Sequence, residues 1–177
     1  MRISRHFRPL LAAIGVIALA APRVTAQSQR DHPDVTGVWV MDTTKFQKTD
    51  TVLIALTLTV SREGDTLRVA SDVTDKRGQA LVNSTSTARY ALDGSPRPNA
   101  IAGGSAVVTS LLSWDGAILV LSSAGEISGR SIMTTERWTI DATGKTMSRY
   151  HVTAINGREV SQTLMFTRQQ GPTPRAP

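Results

Sequence analysis

The chain has 177 residues, with 20 Lys and Arg, 14 Asp and Glu, and no Cys, and its formal net charge at pH 7 is +6. The absence of Cys excludes disulfide bonds, thiol catalysis and thiolate-ligated metal sites. The length suits one domain of ordinary size, whose core needs no covalent crosslink for stability.

The N-terminal residues 1–26 predict a cleaved secretory signal peptide. A basic segment, a short apolar run and a small-residue cleavage site follow one another, as signal peptidase requires: Arg2, Arg5, Arg8, Leu10–Ala21 and Val24–Ala26. The apolar run has about a dozen residues, whereas a spanning helix needs about 20. We therefore expect a periplasmic or secreted domain over 27–168, with no membrane span after cleavage.

The positive charge of the chain is concentrated in this leader. Four basic residues and no acidic residue lie in 1–26, so the rest of the chain carries 16 basic and 14 acidic side chains. Nucleic-acid binding requires a dense basic face with aromatic residues. The remaining charges alternate in sign along the chain, so we predict no nucleic-acid partner.

Alternating apolar and polar residues, separated by short turns, indicate β-strands throughout the domain. In the segment 52–60, for example, Ile54, Leu56, Leu58 and Val60 are expected to share one face. Asp115-Gly116 and Asn156-Gly157 are favoured two-residue hairpin turns. The longest irregular stretch, 93–104, contains prolines and paired glycines and predicts an exposed loop. Residues 169–177 predict a disordered tail.

Short connections require neighbouring strands to pair antiparallel. The predicted fold is therefore all-β, an up-and-down meander of eight to ten strands closed into a barrel, because closure removes exposed strand edges. An open sandwich is the first alternative. An outer-membrane barrel is the second, and the few aromatic residues and the outward charges Arg68, Asp72 and Arg137 disfavour it.

Several short motifs carry a family resemblance. Gly37-Val38-Trp39 and the residues through Phe46 resemble the opening of lipocalins and related secreted bacterial calycin-type barrels. Trp114-Asp115-Gly116, Glu136-Arg137-Trp138 and the ending Met165-Phe166-Thr167-Arg168 resemble their later strands. The resemblance, which spans 35–168, implies a lipocalin-like barrel in which Trp39 closes one end and Arg168 stacks over it. The chain lacks the Thr-Asp-Tyr loop, C-terminal helix and disulfide of many lipocalins.

Lipocalin-like barrels commonly bind small hydrophobic molecules, so the resemblance implies a ligand inside the barrel. Candidate contacts on the predicted inner faces are Leu56, Leu58, Val69, Leu119, Leu121 and Trp138, although the same residues would form the core of a filled barrel. Glu136 alternates with Trp138, so both should point inward, and Glu136 could anchor a polar headgroup. Arg149 is its possible partner if both face the same side.

No catalytic motif is recognised. The serines lack a nucleophile elbow, and the histidines and acids lack the spacing of a zinc or calcium site. His151 and Arg149 alternate with Tyr150 and Val152, which favours a solvated outer face for both. We therefore predict no cofactor, no metal and no catalytic residue.

Three functions stay open at this point. The first is a non-enzymatic exported binding protein for a small apolar or amphipathic ligand. The second is a small enzyme whose polar barrel cavity uses Glu136, Arg149 or His151. The third is an envelope interaction module with a filled barrel that binds through loop 93–104 or its edge strands. The sequence leaves the oligomeric state open.

Overall fold

The computed structural model describes residues 32–45, 53–77, 79–101 and 106–169. In these residues it contains ten strands. They are β1 (Gly37–Met41), β2 (Leu53–Glu63), β3 (Thr66–Arg77), β4 (Ala80–Ala91), β5 (Arg97–Ala100), β6 (Val107–Asp115), β7 (Ile118–Ile127), β8 (Arg130–Ile140), β9 (Thr146–Ile155) and β10 (Arg158–Gln169). The described residues include no helix long and apolar enough to cross a membrane.

The strands form one antiparallel sheet in the order β4-β3-β2-β1-β10-β9-β8-β7-β6-β5. Every neighbour in this order except β1 and β10 follows its partner in the chain, which is an up-and-down meander. β1 lies between β2 and β10, with Trp39 opposite Leu58 on one side and Arg168 on the other. The sheet curls into a nearly closed barrel, so the predicted fold class is confirmed.

One side chain joins β4 and β5, the two strands at the ends of the sheet order. Asn99 of β5 accepts a hydrogen bond from the Arg89 backbone N–H of β4 (2.7 Å) and donates one to the Arg89 carbonyl (2.9 Å). Its amide thus replaces the pair of hydrogen bonds that a strand neighbour would supply. Asn99 is buried because it lies in this seam.

The region 93–104, which was predicted to be an irregular loop, contains β5. The prediction was wrong at 97–100 because Pro98 is tolerated on a strand that forms a backbone ladder on one side only, with β6. The predicted tail, 169–177, begins one residue too early, since Gln169 is the last residue of β10. The predicted signal peptide, 1–26, and tail residues 170–177 lie outside the described residues.

One predicted strand face is interrupted. Leu56, Leu58 and Val60 are buried as expected, but Ile54 is exposed. The register of β2 against β3 shifts between Leu53 and Ala55. This irregularity reverses the alternation, so that Leu53 instead of Ile54 packs on the core.

The hydrophobic core fills the half of the barrel that contains the start of β1 and the end of β10. Its largest fully buried side chains are Trp39, Trp138, Phe166, Leu58, Leu119, Leu121, Met147 and Leu164. We call this the plug half. The other half, towards the β3–β4, β7–β8 and β9–β10 turns, is called the open half below.

Candidate functional site

Trp39 and Arg168 close the plug half. The Arg168 guanidinium carbon lies 4.5 Å from the centroid of the Trp39 ring. Trp39 Nε1 donates to the Val35 carbonyl at 2.9 Å, while Arg168 donates to the Asp34 carbonyl and pairs with its carboxylate at 3.5 Å. The contact implied by the family resemblance is therefore present, and it ties the segment before β1 to the last strand.

The segment before β1 also covers this end of the barrel. The His32 ring stacks on Trp114 with 4.2 Å between centroids and 2° between planes. A cleft of about 590 Å³ beside this segment is lined by Val35, Leu67 and Trp114 together with charged groups. It lies outside the plug, and Trp39 does not line it.

The six apolar residues proposed as ligand contacts all lie on the inner face and are at most 6% exposed: Leu56, Leu58, Val69, Leu119, Leu121 and Trp138. They belong to one packed cluster. Leu121 pairs in register with Glu136, which places the polar candidate at the boundary of this cluster. Their contact with a ligand stays a prediction.

Glu136 lies on the inner face and binds several donors. Its Oε2 accepts hydrogen bonds from Trp138 Nε1 and from Arg149 Nε, both at 2.8 Å. Its Oε1 accepts a second hydrogen bond from the Arg149 Nη2. Arg149 therefore faces the same side as Glu136 and binds both carboxylate oxygens as a planar fork, which is the strongest geometry for this pair.

His151 extends the cluster toward the open half. Its Nδ1 lies 3.3 Å from Glu136 Oε1, and its Nε2 lies 2.8 Å from the Thr153 hydroxyl. The prediction of a solvated outer face for Arg149 and His151 was wrong. Tyr150 occupies the outer face instead and is 43% exposed, whereas Met147, with the same alternation as His151, is fully buried.

Burial and charge act on Glu136 in opposite directions. Burial alone would raise the pKa of Glu136, but the Arg149 charge and the hydrogen bonds from His151 and Arg149 hold that pKa well below its usual range. Tyr90 of β4 is also affected by the Glu136 charge. Burial and then the Glu136 carboxylate raise the pKa of Tyr90, so its hydroxyl stays protonated.

The inner face changes character beyond this cluster, towards the open half. Seven inner positions there carry small or polar side chains that are partly exposed, alongside the apolar Val73 and Val108: Ser71, Ser84, Ser86, Ser123, Thr134, Thr153 and Gln162. Even the Glu136 and Arg149 side chains are each 14% exposed, and His151 is 22% exposed. Inward-facing side chains of a barrel are accessible only where the interior is not filled, so solvent reaches the cluster from the open half.

A groove of about 410 Å³ lies at the rim of the open half, where β8, β9 and β10 turn. Ile155 and Val160 line it and are 44% and 70% exposed. Arg130 and Arg158 flank them, and Thr153 connects the groove to His151. The rim therefore combines apolar contacts with positive charge.

Sequence reasoning missed three members of this interior. The Glu136 charge raises the pKa of Tyr90 from across the barrel, and Ser110 is buried with its hydroxyl 2.7 Å from that of Ser123. Gln162 pairs in register with His151. Alternation with Leu112 and Leu164 could have placed Ser110 and Gln162 inward, whereas the reach of Tyr90 depends on barrel closure.

No protein-family model matches the chain, and no curated protein matches it at a significant level. Among the described residues, no group of three or more His, Cys, Asp or Glu side chains is placed to hold a metal ion.

Proposed function

We propose that this chain is an exported, lipocalin-like binding protein that holds a small amphipathic molecule in the open half of its barrel. The observation that carries the proposal is the division of the interior. The plug half is filled by a packed apolar core, while many inner positions of the open half carry polar, partly exposed side chains beside the apolar Val73 and Val108. A binding site needs an accessible concave surface with a few placed polar groups, and the Glu136–Arg149–His151 cluster supplies those groups.

The neighbouring residues Thr134 and Thr135 provide a matched test. They lie on opposite faces of β8, because Thr134 pairs with Ser123 and Thr153 on the inner face. Thr134→Trp places a large side chain in the open half, so we expect at least a tenfold loss of affinity for an apolar fluorescent probe. Thr135→Trp adds the same side chain outside and should leave affinity within about twofold.

Native mass spectrometry of the protein purified from its own host provides an independent test. A co-purifying small molecule that is lost in Thr134→Trp and kept in Thr135→Trp supports the proposal. Equal probe binding by both variants, or no binding of any apolar probe by the unaltered protein, contradicts it.

One observation favours an enzyme as the second candidate. Glu136, His151 and Thr153 form a carboxylate–imidazole–hydroxyl chain, with 3.3 Å and 2.8 Å between successive polar atoms. Such a chain can activate a hydroxyl as a nucleophile in acyl transfer. Turnover of activated esters that is lost in both His151→Gln and Thr153→Val, with the fold intact, would support it. Turnover unaffected by either change would exclude it.

A further inference from the structure

The distance of the Glu136–Arg149–His151 cluster from the open rim determines which part of a bound molecule contacts it. The cluster lies where the packed core ends, since Leu121 opposite Glu136 and Leu164 opposite Arg149 are fully buried. A molecule that enters from the open half therefore brings its leading end against Glu136, Arg149 and His151. This inference depends on the proposed binding function.

The charges of the cluster are already matched to one another. Glu136 accepts hydrogen bonds from Trp138 and from two nitrogens of Arg149, and it also contacts His151. Within the cluster the Arg149 guanidinium is committed to Glu136, and the next cations, Arg130 and Arg158, lie farther out at the rim groove. A bound carboxylate or phosphate would be repelled by Glu136, and an ammonium group would be repelled by Arg149, both in a site of reduced dielectric constant.

Hydrogen-bonding capacity remains next to the ion pair. His151 and Gln162 are register partners on the inner face, and the Gln162 Oε1 is buried without a hydrogen-bond partner among the described residues. A buried acceptor without a donor is costly. Thr134 and Thr153 add hydroxyls, 3.4 Å apart, that can both donate and accept. A ligand hydroxyl or amide supplies that donor if the Gln162 side chain rotates to turn its inaccessible oxygen toward the open half.

We infer that the ligand enters headgroup first, and that this headgroup is an uncharged hydrogen-bonding group, a hydroxyl or an amide, held by Gln162, His151 and Thr153. Its apolar part then lies toward the rim, where Ile155 and Val160 are exposed. The reverse orientation would place an anionic headgroup between Arg130 and Arg158 and an apolar chain against the ion pair. The polarity of the interior favours the first arrangement, because a buried ion pair loses hydration without compensation from an apolar chain.

A ligand series with one chain length separates these arrangements. Decanol, decanamide, decanoate and decylammonium would be titrated against the unaltered protein by displacement of a fluorescent apolar probe. We expect decanol and decanamide to bind at least tenfold more tightly than either charged ligand. Decanoate binding that equals or exceeds decanol binding, and that falls in Arg130→Ala or Arg158→Ala, would overturn the inference in favour of an anionic headgroup at the rim.

Variants then test the residues. Gln162→Leu should weaken decanol binding about tenfold, and Thr163→Leu on the outer face should not weaken it. Glu136→Gln frees Arg149, so it should shift preference toward decanoate. This headgroup assignment is contradicted if Gln162→Leu binds decanol as tightly as the unaltered protein and Glu136→Gln keeps the preference for decanol over decanoate. Failure of every ligand to displace the probe contradicts the assignment, whereas failure of the probe itself to bind contradicts the binding function as a whole.

Discussion

The side-chain amide of Asn99 forms with the Arg89 backbone the two hydrogen bonds that a neighbouring strand would form. These two hydrogen bonds link β4 and β5, which are the strands at the two ends of the sheet order. Asn99→Ala should therefore lower the free energy of unfolding by about 1–3 kcal/mol, because it leaves a backbone donor and acceptor unpaired in the seam.

Asn83→Ala is the matched control for this change. Asn83 also lies on β4, but its exposed side chain accepts a hydrogen bond only from Thr74. Its removal should cost less than about 0.5 kcal/mol. Urea denaturation measures both variants, and hydrogen exchange should show a faster Arg89 amide in Asn99→Ala alone. Equal losses for both variants would mean that the seam is held by other contacts.

Arg168→Lys tests the closure of the plug half. Lys keeps the charge over Trp39 but loses the planar stack and the fork that reaches the Asp34 carbonyl. We expect a loss of about 1–2 kcal/mol in the free energy of unfolding. Arg158→Lys, at the exposed β9–β10 turn, makes the same chemical change and should be nearly neutral. A neutral Arg168→Lys would show that charge alone stabilises the plug.

A double-mutant cycle tests the ion pair inside the barrel. Glu136→Leu and Arg149→Met each leave a buried charge without its partner, and each should cost about 3–5 kcal/mol. The double variant removes both charges, so it should be more stable than either single variant. Thermal or urea unfolding of the four proteins gives the coupling energy. Additive losses would mean that the two side chains act independently despite their contact.

The stability of the protein should depend on Glu136 at acidic pH. The folded-state pKa of Glu136 is held below the ordinary value of 4.5, so the native state binds fewer protons than the unfolded state. Its stabilising contribution is complete above that value and is lost as the pH falls toward the folded-state pKa. The stability difference between the unaltered protein and Glu136→Gln should therefore shrink below about pH 4.5.

Exposed Asp141 provides the comparison for this pH dependence. Its pKa is also lowered, by hydrogen bonds from Thr146 and Thr143, but solvent screens it. Asp141→Asn should change the acid dependence much less than Glu136→Gln. Unfolding free energies measured from pH 3 to pH 7 compare the two, and an unchanged difference for Glu136→Gln across this range would contradict the expected direction.

Strand alternation was sufficient to predict the meander and the inward position of Glu136, because Trp138 two residues later sets the face. It failed on β9, where Tyr150 and Val152 suggested an apolar inner face. In the barrel, Met147 sets the inner face, and Arg149 is stabilised there by Glu136 on the neighbouring strand. A buried charge with its partner on another strand cannot be identified from the hydrophobic pattern of one strand.

The contacts that close the barrel could not be predicted from local sequence, although closure itself was predicted. Pro98 and the surrounding glycines predicted a loop, whereas β5 pairs with β6 and its Asn99 binds the Arg89 backbone across the seam. The Glu136 charge on β8 likewise raises the pKa of Tyr90 on β4 because the sheet curls round on itself. These contacts join residues far apart in the chain, whereas turn signals and alternation describe neighbours.

The position of β1 between β2 and β10 has a consequence for how the chain reaches its final state. In a chain synthesised from its N-terminus, β1 is made long before β10. β2, β3 and β4 can therefore pair in sequence while the edge of β1 that will pair with β10 stays unpaired. During this time Trp39 lacks its contact with Arg168, and the unpaired backbone groups of β1 can pair with a strand of another chain. The barrel can therefore be completed only after β10 has been made, and until then the unpaired side of β1 is an exposed strand edge.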